Sequence, residues 1–414
     1  MKKLTAILLA AAMVLSLAAC GSSGSAAPAP AAEKSEAAAP AAEKSEAAAP
    51  AEEKSEAAAP TEEASAASSA EAAPAGDEVD KSDWLTLNLT YATFLAADAP
   101  SADGIALFQE NLDKYMGEGY ITIETYPNGT LLGVADICEG VENGVADLGF
   151  CMMSVVTGKF PVEQVAEIAG PYYASTRAGC AALKEYLDTV QPAEFEKVIP
   201  LFPLEQVPMA ICSTKPINSI DDLKGLQIRA TGYSADAITR WGAVPVSMAL
   251  SEVYEAMRNG LLDGCISSVG AFGNSMFQEV ADYCTILPYI GYSCILMMNR
   301  DTYNSMPESQ RAAFDAAADE TYTNFYSRYL EELENDELSQ KYLHDIAAIE
   351  GVKWLDEETL KPFADALDGL TDDYKKVLNE QGFDGDYLVD YYLELLDKYN
   401  EMYPPVPENY SKWY

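Results

Sequence analysis

Two short stretches of the chain share one local grammar. Glu142-Asn143-Gly144-Val145-Ala146-Asp147 and Arg258-Asn259-Gly260-Leu261-Leu262-Asp263 each read as a helix end, an Asn-Gly stop, two apolar residues and an aspartate. A glycine just past a helix supplies the left-handed backbone that ends it. Around the first copy, Leu85, Leu87, Leu89 and Tyr91 alternate as a strand. Residues 101–115 follow as a helix with Ile105, Phe108, Leu112 and Tyr115 on one face. A strand at 120–124, the turn Pro127-Asn128-Gly129, a helix at 134–143 and a strand at 146–150 complete this pass. Around the second copy the order is strand 226–229, helix 234–241, strand 244–248 and helix 252–259, with Ser251 as the predicted N-cap. Alternating strands and helices predict α/β architecture with a largely parallel sheet covered by helices. The repetition predicts two such domains of related build.

The length, 414 residues, exceeds one ordinary core and allows both domains and more. After Met306-Pro307, apolar residues from Phe314 through Phe325 to Leu343 recur at helical spacing as far as Gly351. A helix of about forty residues spans roughly 60 Å, enough to brace two small domains. Helices are predicted again at 358–367 and 386–399, and Tyr387, Tyr391, Tyr392, Tyr399 and Tyr403 are expected as buried aromatic faces. The expected domains are 83–207, joined by later crossover segments, and 208–300, followed by the bracing helix at 301–350 and a helical C-terminal part at 351–414.

The N-terminus carries a different signal. Lys2 and Lys3 precede a sixteen-residue apolar run, Leu4 to Ala19, which is short for a membrane span and suits a secretory signal peptide over 1–19. Leu17-Ala18-Ala19-Cys20 resembles a bacterial lipoprotein signal, which makes Cys20 the expected lipid anchor. Residues 20–82 contain AAEKSEAAAP at 31–40 and again at 41–50. Proline every ten residues and few large apolar side chains predict a disordered tether with a reach of roughly 45 Å. The protein is thus expected outside the cytoplasmic membrane, anchored to its outer face.

Composition narrows the function. Lys+Arg total 26 and Asp+Glu 66, a net charge of −40, with no basic stripe for nucleic acid or anionic lipid. The seven cysteines after Cys20 show no metal or redox spacing and read as buried small apolar residues; sequence places no disulfide among them. His344 is the sole histidine, and no GxSxG elbow, HExxH helix or phosphate loop occurs, so no enzyme, metal or cofactor is expected. One feature remains. The strand at 226–229 ends on a cation, Arg229, in an acidic chain.

Residues 215–229, KPINSIDDLKGLQIR, and 241–264, WGAVPVSMALSEVYEAMRNGLLDG, resemble the solute-binding proteins of tripartite ATP-independent periplasmic (TRAP) transporters, the DctP type. Weaker echoes occur at 129–133, 141–150, Pro171-Tyr172-Tyr173 and 278–283. The resemblance implies a two-domain, periplasmic-binding-protein-like fold of type II. It implies that Arg229 reaches into the interdomain cleft and pairs with a ligand carboxylate, and that the closed form docks on membrane permease subunits for uptake driven by an ion gradient. A planar guanidinium can hold a carboxylate by two parallel bonds.

Departures from the family pattern shape the expected pocket. Where many members carry a second arginine, this chain has Met209; where an amide is frequent, it has Ser267. Phe94, Met152 and Tyr172 are the other expected lining residues. A monocarboxylate with an apolar or aromatic body is the expected solute. An ABC-type binding lipoprotein and a ligand-presenting sensor module are the alternatives.

Overall fold

The computed structural model describes residues 79–97, 103–206, 209–268, 272, 276–335 and 352–405. The predicted signal peptide, Cys20 and the tether lie outside the described residues. The strands are β1 (Leu87–Ala92), β2 (Ile121–Tyr126), β3 (Leu148–Met152), β4 (Val198–Gln206), β5 (Met209–Ser213), β6 (Gln227–Arg229), β7 (Val244–Val246), β8 (Gly264–Ser267), β9 (Tyr283–Leu287), β10 (Ser293–Asn299) and β11 (Val352–Trp354). The helices are α1 (Asp103–Met116), α2 (Ile137–Glu142), α3 (Thr176–Val190), α4 (Ser234–Arg240), α5 (Leu250–Arg258), α6 (Arg300–Ser305), α7 (Glu308–Asn335), α8 (Glu357–Asp365), α9 (Leu370–Glu380) and α10 (Gly385–Met402). Two sheets form, in the orders β2-β1-β3-β10-β4 and β11-β9-β5-β8-β6-β7.

The repeated grammar performs the same work in both halves. Gly144 (φ 71°) and Gly260 (φ 70°) take the left-handed conformation after α2 and α5. Each following aspartate then grips the neighbouring parallel strand. The Asp147 carboxylate accepts from Thr90 N at 2.9 Å, and that of Asp263 from Gln227 N at 2.9 Å. Their own amides donate to Thr90 O (3.0 Å) and Gln227 O (2.8 Å). The two halves are copies at the level of individual hydrogen bonds.

The sheets are mixed rather than largely parallel. β10 runs antiparallel to β3 and β4, and β5 antiparallel to β8 and β9. β5 and β10 are the strands that receive the chain from the other sheet. Each therefore starts at the edge where its neighbours β8 and β3 end. β10, from within the 208–300 span, crosses back into the first sheet, and β11, from the C-terminal part, joins the second.

Each domain buries its own apolar residues. In the first, Phe108 meets Phe202 and Phe314 edge to face at 6.0 and 5.3 Å. A fully buried phenylalanine contributes about 1.5–3 kcal/mol. In the second, Ile211, Ile228, Ile238 and Trp241 are buried with Phe363 of α8. All seven cysteines from Cys138 to Cys294 are buried, and none of them forms a disulfide among the described residues.

In its described part the long helix packs on the first domain, whereas the C-terminal part reaches both domains. α7 lies on α1, tied by Asn111 Nδ2 to Thr321 Oγ1 at 2.9 Å, and Trp84 Nε1 donates to Ser309 Oγ at 2.8 Å; these contacts all belong to the first domain. Its predicted continuation at 336–351 lies outside the described residues. The helices read as packing material connect the domains. α8 packs on the second domain, where Trp241 Nε1 donates to Phe363 O at 2.9 Å. α9 and α10 pack on the first: Tyr374 donates to Pro161 O at 2.7 Å and Tyr392 is fully buried. Tyr387, expected in a buried face, is 52% exposed and stacks on Tyr391 at 5.6 Å. Ser251 is not the N-cap of α5. The helix starts at Leu250, and the Glu252 carboxylate accepts from Ala249 N at 3.2 Å, so the acid satisfies the helix end in place of a hydroxyl.

Candidate functional site between the two sheets

The connections between sheets decide where a cleft can form. β4 ends at Gln206 and β5 starts at Met209, so two residues separate the sheets. Three virtual bonds of 3.8 Å limit that gap to about 11 Å. β9 ends at Leu287 and β10 starts at Ser293, a second crossing of five residues. Both crossings leave from C-terminal strand ends. β1, β3 and β4 of the first sheet, and β6, β8 and β9 of the second, therefore finish at one shared edge. Ligands in open α/β sheets bind outside the carboxyl ends of strands.

Arg229 stands on this edge as the last residue of β6. Its partners are Val246 on β7 and Cys265 on β8, and Ile228 before it is fully buried, so its mount is rigid. The side chain is half-buried. Its Nε donates to Met248 O at 3.1 Å, which leaves the two terminal nitrogens of the guanidinium. The guanidinium also reaches the Cys265 thiol. Burial pushes that thiol up to about 12, although Arg229 pulls the other way. The thiol is thus neutral and does not compensate the cation. Asp263, which precedes the neighbouring strand β8, is occupied by Lys215 Nζ at 2.7 Å and by Gln227 N. Among the described residues Arg229 has no ion-pair partner.

The other expected residues fall into three places. Ser267, the last residue of β8, and Met209, the first of β5, share the edge with Arg229; both are 6% exposed. Phe94 and Met152 stand on the facing edge of the first sheet. Phe94 follows β1 and stacks on Phe150 at 5.5 Å; Met152 ends β3 opposite Cys294. Tyr172 is on neither edge. Its ring meets Tyr289 of the second crossing at 5.9 Å, and its carbonyl accepts from Asn400 Nδ2 at 2.7 Å. A residue placed by its proximity to Pro171 in sequence thus belongs to the hinge side.

The two lips touch beyond Arg229. Gly232 (φ 55°) lies so close to the first domain that a Cβ there would be 3.2 Å from Ser154 O and 3.4 Å from Thr157 Oγ1. Next to it, Tyr233 donates to the Tyr374 hydroxyl at 3.4 Å. These contacts, and the carbonyl of Met248 that orients Arg229, have no local signature: they arise when residues far apart in the chain meet. Among the described residues no three His, Cys, Asp or Glu side chains converge to hold a metal ion, and no helix is long and apolar enough to cross a membrane.

Among the described residues, this edge thus carries a half-buried cation without an ion-pair partner, and the apolar side chain of Met209 stands on the same edge, with Phe94 and Met152 on the facing one. A guanidinium in such a setting suits an anion.

The profile of bacterial extracellular solute-binding proteins, family 7 (DctP), matches residues 91–377. The C4-dicarboxylate-binding periplasmic protein DctP of Rhodobacter capsulatus is 25% identical over 303 residues, 67% of this chain and 86% of that protein. A TRAP periplasmic solute-binding protein from Desulfovibrio salexigens, solved as an open complex, is 26% identical with a TM-score of 0.62, covering 76% of this chain and 97% of the other. A marine-metagenome TRAP solute-binding protein specific for aromatic acid ligands, co-crystallised with 3-hydroxybenzoate, shares the fold with a TM-score of 0.67 at 24% identity, covering 76% and 99%. These are binding subunits of transporters and not enzymes. The chain belongs to family 7 of the bacterial extracellular solute-binding proteins, the DctP family of TRAP transport systems.

Proposed function

We propose that the protein captures a small organic monocarboxylate with an apolar or aromatic body and delivers it to a TRAP membrane permease. The observation that carries this reading is Arg229: a half-buried cation on the shared edge with no acidic partner among the described residues. Its fork accepts a carboxylate by two parallel bonds, each worth about 1.5–3 kcal/mol. Phe94, Met152 and Met209 supply apolar contact around a single charge, so a second carboxylate would be buried unpaired. The 3-hydroxybenzoate ligand of the marine relative supports this class. Solute in the cleft neutralises Arg229 from one domain while touching the other, and thereby favours the closed form. That form docks on the permease, where an ion gradient drives uptake. Cys20 carries the lipid that keeps the protein at the outer face of the cytoplasmic membrane.

Calorimetric titration of mono- and dicarboxylates tests the reading. Monocarboxylates with aromatic or branched bodies are expected to bind most tightly; dicarboxylates binding far better would reject the proposed solute class.

A further inference from the structure

The second crossing is pressed against a helical turn that carries two buried acids. Glu163 and Glu167 lie one turn apart on the segment Glu163–Glu167, 0% and 2% exposed. Ser293, where the crossing enters β10, bridges them: its Oγ contacts Glu163 Oε1 at 2.8 Å and Glu167 Oε1 at 3.0 Å, and its amide donates to Glu167 Oε1 at 3.1 Å. Oε2 of each acid is buried without a partner. The crossing is fastened along its length by Tyr173 N to Pro288 O and Gly170 N to Tyr289 O, both 2.8 Å. A Cβ on Gly291 would sit 2.0 Å from Ala166 O, so crossing and acid-bearing turn are in direct contact.

The same turn reaches the cleft. Gln164 Nε2, between the two acids, donates to Met153 O at 3.0 Å, and Ser154 follows Met153. Ser154 is the residue against which Gly232 closes. One turn thus holds a hinge strand on one side and a lip of the cleft on the other.

Among the described residues neither carboxyl has an ion pair with a Lys, Arg or His, and the titratable groups that act on the pair are Glu194, Cys138, Tyr173, Tyr186, Tyr233 and Tyr374. Two ionised carboxyls in such a site repel each other and lack solvation. Burial first, and the neighbouring carboxyl second, push Glu163 well above the ordinary range; burial also raises Glu167.

We propose that Glu163 and Glu167 hold a shared proton that latches the second crossing to the first domain, so that its loss at alkaline pH loosens the hinge on which the cleft opens. The inference rests on the two-sheet architecture and the crossing, not on the identity of the solute.

Amide hydrogen exchange on the full chain without solute tests it. Protection of 288–293, corrected for intrinsic exchange, is expected to fall by up to about tenfold per pH unit as the proton dissociates, while β1 stays protected. Glu163→Gln, which keeps the shape and removes one charge, is expected to flatten that fall, and Glu167→Gln likewise. A flat wild-type profile between about pH 6 and about pH 10, equal loss in β1, or Gln variants that keep the wild-type slope would each overturn the latch. The wild-type profile requires no variant to fold.

Discussion

Replacing Arg229 by alanine separates a binding residue from a structural one. Without solute, the side chain makes one protein hydrogen bond, Nε to Met248 O at 3.1 Å, and touches a neutral thiol. Losing that bond costs about 1 kcal/mol, and removing a half-buried unpaired cation offsets part of it. The melting temperature should fall by no more than about 3 °C. With solute bound, the same truncation strips a buried carboxylate of its partner, which costs about 2–5 kcal/mol. That is a loss of about 30- to 5,000-fold in Kd. Arg229→Lys keeps the charge and loses the fork, and one missing charge-assisted bond predicts a loss of about 10- to 150-fold. The assay is calorimetric titration with the tightest acid from a thermal-shift screen, alongside unfolding of each variant. A Kd for Arg229→Ala within threefold of wild type, in a folded protein, would refute the reasoning.

Three further outcomes are expected. Gly232→Ala adds a Cβ at 3.2 Å from Ser154 O in a left-handed backbone; about 1–2 kcal/mol of strain should favour the open form, read as weaker solute binding and a larger scattering radius. Burial pushes Glu194 up to about 7, although Val162 N and Glu163 N donate to it. Its folded value lies above the unfolded one, so its stabilising contribution is full below about pH 4.5 and lost as pH rises through about 7. Urea unfolding should show roughly 1–3 kcal/mol lost over that window, with a shallower slope in Glu194→Gln. Cys20→Ser should abolish incorporation of labelled fatty acid and release the protein from membranes, with solute affinity unchanged.

The places where sequence reading and structure part company follow a pattern. Helices and strands whose apolar period is written locally, such as α1, β2 and α10, appear within a few residues of their predicted positions. The Asn-Gly stops appear with the expected left-handed glycines. The errors concern groups with a competing partner elsewhere. Ser251 looked like a cap, but Glu252 takes the amide. Tyr172 finds its ring partner in Tyr289, more than a hundred residues away, a contact that nothing near it in sequence announces.

What the chain determined by itself is the repeated unit: strand, helix, Asn-Gly stop, and an aspartate that locks the next strand, all set by backbone sterics and hydrogen bonds within reach of a few tens of residues. The cation at the end of β6 belongs to that list. The tertiary structure alone decided which charges stay uncompensated. Arg229 lacks an acidic partner among the described residues because Lys215 and Gln227 occupy Asp263, and Glu163 and Glu167 are dry because the crossing from β9 folds back over them. Burial and competition for partners are properties of residues brought together across the chain, and no local pattern encodes them.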